Sequence, residues 1–204
     1  MINYDIKAKV ADIKKYNPNP NDTFFIDSNV LIWIFSSKHA RGNDKHGIYQ
    51  AKEYTAFIHK ALKAKSKLYV CGLSFSEMSH FIEDMEYKHF SNLYPEVTRK
   101  EYRHNYQSER NNVIEEINSA WSAVSLATEM IELNVDRSSV ESSVSLISTS
   151  MLDGYDVFLV SATKTHGIIN ILTDDGDFSS LEGVKLFTAN HGVIKSANEQ
   201  GKLV

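Results

Sequence analysis

Short, wholly apolar runs that end on a polar residue and hand over to a helical pattern constrain this chain more than any other feature. Phe24-Phe25-Ile26 runs into Asp27, after which Val30, Leu31, Ile34 and Phe35 recur at helical spacing. Lys67-Leu68-Tyr69-Val70-Cys71 is a second such run, followed by Phe75, Met78, Phe81 and Ile82 on one helical face. Between them, Ile48, Ala51, Tyr54, Phe57, Ile58, Ala61 and Leu62 form the apolar stripe of an amphipathic helix over residues 48–65. Runs too short for a helix and apolar at every position read as strands buried on both faces. Further along, residues 96–130 are helical, 131–135 form a short strand, and Val140, Val144 and Ile147 mark another helix. Residues 157–162 are helical again, and 168–172 and 184–187 are late buried strands. Strands alternating with helices predict the α/β class, as three α/β/α layers around a mostly parallel sheet of about five strands.

At 204 residues the chain fits one domain, with 42% hydrophobic residues available for its core. Residues 1–22, ending in Asn17-Pro18-Asn19-Pro20-Asn21-Asp22, read as an N-terminal arm, either helical or extended, closed by a turn. The domain proper is expected over 23–204, with a helical elaboration at about 81–130. A single cysteine, Cys71, excludes an internal disulfide framework and a multi-cysteine zinc site. With no leader pattern and no apolar run long enough for a membrane span, the expectation is a soluble, cytoplasmic protein with no membrane partner. The formal net charge of −4 argues against coating nucleic acid by bulk electrostatics. That charge is unevenly spread: residues 1–67 carry twelve Lys and Arg against six Asp and Glu, so the acidic excess lies in the later part.

In a parallel α/β sheet, ligands bind beyond the carboxyl ends of the strands, so the residues just after each strand matter most. Asp27 follows the first predicted strand and Glu77 lies shortly past the second. Asp153 and Asp156 precede the helix at 157–162, and Asp174, Asp175 and Asp177 follow the strand at 168–172. The topology gathers all of them at one end of the sheet. Carboxylates packed together raise one another's pKa values, and a divalent cation removes that penalty. Oxygen donors without cysteine or paired histidine suit Mg²⁺ or Mn²⁺, one or two ions, and the chemistry implied is metal-assisted phosphodiester hydrolysis.

Each residue also has an ordinary structural explanation. Asp27 can cap a helix, and Glu77 can be a solvated helix residue. Asp153 or Asp156 can favour a helix N-terminus, Asp153 being the better candidate for a cap. Asp174-Asp175-Gly176-Asp177 is good turn sequence. None of these explains why all four places share one end of the sheet. No Gly-rich phosphate loop, Gly-x-Ser-x-Gly elbow or His-Glu-x-x-His pattern supports another hydrolase class.

Phe25-Ile26-Asp27-Ser28-Asn29-Val30-Leu31, Ser76-Glu77, Asp156 before an apolar helix, and Leu172-Thr173-Asp174-Asp175-Gly176-Asp177-Phe178 resemble, in order, the four motifs of PIN-domain nucleases. The resemblance spans about residues 23–190. It implies a metal-dependent endoribonuclease with Asp27, Glu77, Asp156 and Asp175 as its acidic quartet and Asp177 as an auxiliary ligand. Asn29 and Thr173 match polar supporting positions, and Asp153 and Asp174 offer alternative carboxylates. It further implies an RNA substrate, a homodimer and, as in many prokaryotic members, the toxin half of a toxin-antitoxin pair with an antitoxin partner. The chain is longer than the compact toxins. The competing readings are a structure-specific DNA nuclease and a non-catalytic nucleic-acid- or protein-binding module.

Two basic stretches are candidates for nucleic-acid contact. One holds Lys38, Arg41 and Lys45 after the first helix. The other interleaves Arg99, Lys100 and Arg103 with Phe90, Tyr94, Tyr102 and Tyr106, either as phosphate contacts and base-stacking rings or as a solvated helix with its aromatics in a core.

Overall fold

The computed structural model describes residues 3–36 and 45–204, without the side chains of 45–47. Lys38 and Arg41, and the side chain of Lys45, lie outside the described residues. Six strands form one sheet: β1 (Lys9–Asp12), β2 (Thr23–Ile26), β3 (Lys67–Cys71), β4 (Glu129–Ile131), β5 (Asn170–Leu172) and β6 (Lys185–Thr188), in the order β1-β6-β5-β2-β3-β4. Every pairing among them is parallel. The helices are α1 (Ser28–Phe35), α2 (Lys45–Lys63), α3 (Gly72–Ser91), α4 (Arg99–Asn105), α5 (Gln107–Ala127), α6 (Arg137–Thr149), α7 (Asp156–Thr165) and α8 (His191–Glu199).

Alternation along each strand explains why the apolar runs are unbroken. Phe24 and Ile26 of β2 enter the core shared with α1, α2, α3 and α5, while Phe25 enters the core on the opposite face with Leu159 and Ala162 of α7. In the same way Leu172 and Phe187 face the first core, and Ile171 and Leu186 face a third cluster with Val157 and Val160 of α7 and Val193 and Ala197 of α8. Both faces are covered, as a parallel sheet requires. Phe187 anchors the larger core, with ring centroids 4.8 Å from Tyr16 and 4.9 Å from Phe24.

The structure departs from the sequence-based expectation at several elements. Residues 9–12, within the predicted arm, form a sixth strand, paired along its length with β6. The strand expected at 131–135 ends at Ile131, because only 129–131 pair with β3. The predicted helical stretch at 96–130 is two helices that meet at Tyr106. Helix α8 was not expected. It starts where the Asn190 side chain accepts from the backbone N–H groups of Gly192 and Val193, an N-cap that the sequence displays.

Strand β2 lies between β3 and β5, and the chain runs outward from β2 to β3 on one side and from β5 to β6 on the other. The carboxyl end of β2 is therefore the switch point where such sheets open a crevice. We expect Phe187→Ala to lower unfolding stability by about 3–5 kcal/mol in urea titration. Leu126→Ala, at a side chain 91% exposed, should change it by less than about 0.5 kcal/mol; equal losses would contradict the core assignment.

Candidate active site

Asp27 is held at the switch point from both backbone and side chain. Its N–H donates to the Leu172 carbonyl at 3.0 Å, tying the end of β2 to the end of β5. One carboxylate oxygen accepts from the Ser28 N–H at 2.6 Å, so Asp27 does cap α1. The other accepts from the Thr173 hydroxyl at 2.5 Å. Capping and facing the crevice are thus compatible. Thr173, fully buried, also accepts from the Asp175 N–H at 2.8 Å and from the Asn29 amide at 3.4 Å. A hydroxyl offers one donor and two acceptor positions, so Thr173 uses all of them to fix Asp27 relative to the turn after β5.

Glu77 arrives from α3, where the Ser28 hydroxyl donates to its carboxylate. Asp156 is the first residue of α7. Asp153 accepts from the N–H groups of Tyr155 at 2.8 Å and Asp156 at 3.1 Å, so it closes the helix start as its spacing predicts. Asp175 accepts from the Asp177 N–H at 2.8 Å and so begins a short 3-10 turn over Gly176–Ser180. Asp27, Glu77, Asp153, Asp156 and Asp175 line one cleft of about 600 Å³, together with Asn29.

Two of the predicted carboxylates stand elsewhere. Asp174 is buried away from the cleft, accepting from Gln50 at 2.6 Å and from the Tyr54 hydroxyl at 2.9 Å. Of the two neighbouring carboxylates, Asp175 is the one in the cleft. Asp177 lines an adjacent cavity with Tyr4 and Ser180, close enough to Asp175 and Asp153 for their charges to be felt. The Tyr4 ring packs so tightly there that a Cβ on Gly176 would lie 2.1 Å from it.

The second basic stretch follows the core-forming alternative. Phe90 packs on Tyr94, Tyr102 and Tyr106 at centroid distances of 4.8, 4.9 and 4.7 Å, so these rings stack on each other. Arg99 pairs with Asp84, and Arg103 donates to Glu83 at 2.5 Å, while Lys100 is exposed. The sequence reading missed several cleft residues: Ser28, Ile32, Ser76, His80, Phe81, Asp84 and Tyr155. His80 and Asp84 follow Glu77 by three and seven residues, so helical periodicity already places them on its face.

The electrostatics record how closely the carboxylates are gathered. Burial first, then the charges of Asp27, Asp153, Asp175 and Glu77, push Asp156 up to about 8. Burial also raises Asp27, to about 7. The Thr173 hydrogen bond opposes that rise, and Glu77 and Asp175 add to it. Glu77 is raised by burial and by Asp153, against the Ser28 hydrogen bond. Asp84 moves the other way, held below the usual carboxylate range by Arg99 and then Lys88.

The sequence pattern of the PIN domain matches residues 24–184, most of the chain. The chain belongs to the PIN-domain family. PIN domains are in general nucleases. No curated protein matches this chain in sequence. Among solved structures, it is similar to a chain in the crystal structure of VapBC2 from Rickettsia felis bound to a DNA fragment from their promoter. Identity there is 10% over 81% of this chain and 98% of that one, with a TM-score of 0.42.

PIN-domain nucleases generally use divalent metal ions, and the donors present fit a hard cation. The cleft offers carboxylate and amide oxygens, and the Asn29 carbonyl oxygen is buried there with no hydrogen-bond donor. Among the described residues no three His, Cys, Asp or Glu side chains close into a ligand cage.

A group whose folded pKa is raised stabilises the fold below its unfolded value and loses that contribution as pH rises through the folded value. In chelator, the melting temperature of this PIN domain should therefore fall as pH rises from about 5 to about 8.5. The fall should be at least about 2 °C, the shift of roughly 1 kcal/mol in a chain this long. Mn²⁺ should restore it most at the alkaline end, and a profile that is flat or rises with pH would show that the pKa values of Asp27 and Asp156 are not raised in the fold.

Proposed function

We propose that this PIN domain is a Mg²⁺- or Mn²⁺-dependent endoribonuclease in which Asp27, Glu77, Asp156 and Asp175 hold the ions and Asp177 assists from the rim. The observation that carries the reading is the cleft itself, where carboxylates from four segments of the chain, Asp27, Glu77, Asp153 with Asp156, and Asp175, line one space. Hydrolysis needs a water oxygen to bond to phosphorus, the ribose–oxygen bond to phosphorus to break, and a proton to reach the leaving oxygen. When bound, the ions supply the positive charge that makes such a water acidic and offsets charge on the leaving oxygen. The chain supplies fixed ligands. Thr173 prevents Asp27 from rotating away, Ser28 orients Glu77, and Asp153 sets the start of α7 so that Asp156 enters the cleft.

The Ser28 hydroxyl is committed to Glu77, and burial pushes the Cys71 thiol up, away from the reactive thiolate. Asp84 is already neutralised by Arg99 and Lys88, which leaves the unpaired charge at the Asp27 end of the cleft.

Asp27→Asn should reduce Mn²⁺-dependent RNA cleavage by about 10²-fold or more while keeping or raising the melting temperature, since it removes a repelling charge and little volume. Wild-type activity in that variant would refute the assignment, and matched RNA and DNA substrates would separate a ribonuclease from a DNA nuclease. Thr173→Val keeps the shape and deletes the hydroxyl. It should weaken Mn²⁺ binding, read by calorimetry, about 10- to 100-fold, as loss of a ligand-orienting partner does elsewhere.

A further inference from the structure

We infer that Tyr155 is a stacking platform for a nucleobase beside the cleaved phosphodiester. The inference rests on the nuclease reading and adds a substrate-contacting residue to it. Tyr155 stands between Asp153 and Asp156 and lines the same cleft. Its side chain does nothing visible for the fold. It occupies the N-cap position of α7 without making a capping hydrogen bond, and the neighbouring Asp153 carboxylate performs that task. It is 57% exposed, the most exposed aromatic ring among the described residues. Among the described residues no aromatic ring or cation packs against it, whereas the other strongly exposed rings, Phe75 and Tyr94, rest on Trp121 and Phe90.

A singly exposed side chain needs no partner of its own, but a bare ring inside the cleft offers a flat apolar face to whatever binds there. The occupant is argued from what surrounds it. Carboxylates that suit a cation, and through it a phosphate, lie on both sequence neighbours' sides, and Ile32 and Phe81 add apolar surface to the cleft. A nucleotide has both halves of the complement: a phosphate for the cation-binding end and a flat base for the ring. In a duplex the base faces are already stacked on each other, so only an unpaired strand can offer one to Tyr155.

The test reads binding separately from cleavage. In the Asp27→Asn chain with Mg²⁺, anisotropy of a labelled single-stranded oligoribonucleotide should show Tyr155→Ala weakening affinity about tenfold or more. Tyr155→Phe, which keeps the ring and drops the hydroxyl, should stay within about twofold. In the otherwise wild-type chain, Tyr155→Ala should raise KM by a similar factor with a smaller change in kcat. A duplex of the same sequence should bind more weakly and be indifferent to the substitution. Unchanged affinity in Tyr155→Ala, equal losses in the Ala and Phe variants, or duplex binding that depends on Tyr155 as strongly would overturn the platform. A chain that binds single strands through Tyr155 yet never cuts them would instead overturn the nuclease reading.

Discussion

Mutual repulsion among carboxylates at the carboxyl end of one sheet is the constraint on which the rest depends. Left alone, buried Asp27 and half-buried Asp156 are pushed up to about 7 and 8 by partial loss of water and by the charge of the neighbouring carboxylates. A fold that placed them there for stability alone would be poorly built, since the same positions filled by uncharged caps would remove the penalty. The scaffold instead spends hydrogen bonds on keeping the acids pointed inward. Thr173, fully saturated, links Asp27 on one strand end to Asp175 on the next, and Ser28 reaches across to Glu77 on α3.

Beneath this layer lies a second, hydrogen-bonded one. The Tyr54 hydroxyl donates to the Asp174 carboxylate, contacts the Thr188 hydroxyl at 3.2 Å and accepts from the Ala189 N–H at 3.0 Å. Asn190 donates to the Asp174 carbonyl at 2.8 Å. The turn carrying Asp175 is thereby fastened to the ends of β5 and β6 and to α2. Buried polar networks of this kind are rigid when every member is paired, and rigidity is what like-charged groups need if they are not to separate.

Much of this could be read without coordinates, for a physical reason. Strands β2, β3, β5 and β6 are apolar on both faces, and acidic residues closely follow β2 and β5, so the strands and the side of the sheet that matters follow from local pattern. Strand β1 does not: Lys9-Val10-Ala11-Asp12 is short, and its identity as a strand comes from pairing with β6, far away in sequence. Asp174 and Asp175 are equivalent by spacing, and only the approach of Gln50 and Tyr54 sends one inward. Tyr155 was hidden for a related cause. Nothing in its neighbourhood distinguishes a loop tyrosine that packs from one that stays bare; that depends on which distant rings fail to arrive.

The pairing of β1 with β6 also sets an order of events. Val10 hydrogen-bonds to Lys202 and Val204, and the turn bearing Asp175 leans on Tyr4 and Asn190. A chain emerging from the ribosome can form β2, β3 and their helices early, but it cannot seal the sheet edge until residues near 190–204 have been made. The acidic crevice thus matures only after that segment has been made, and the earlier stretch of chain holds no complete site before then.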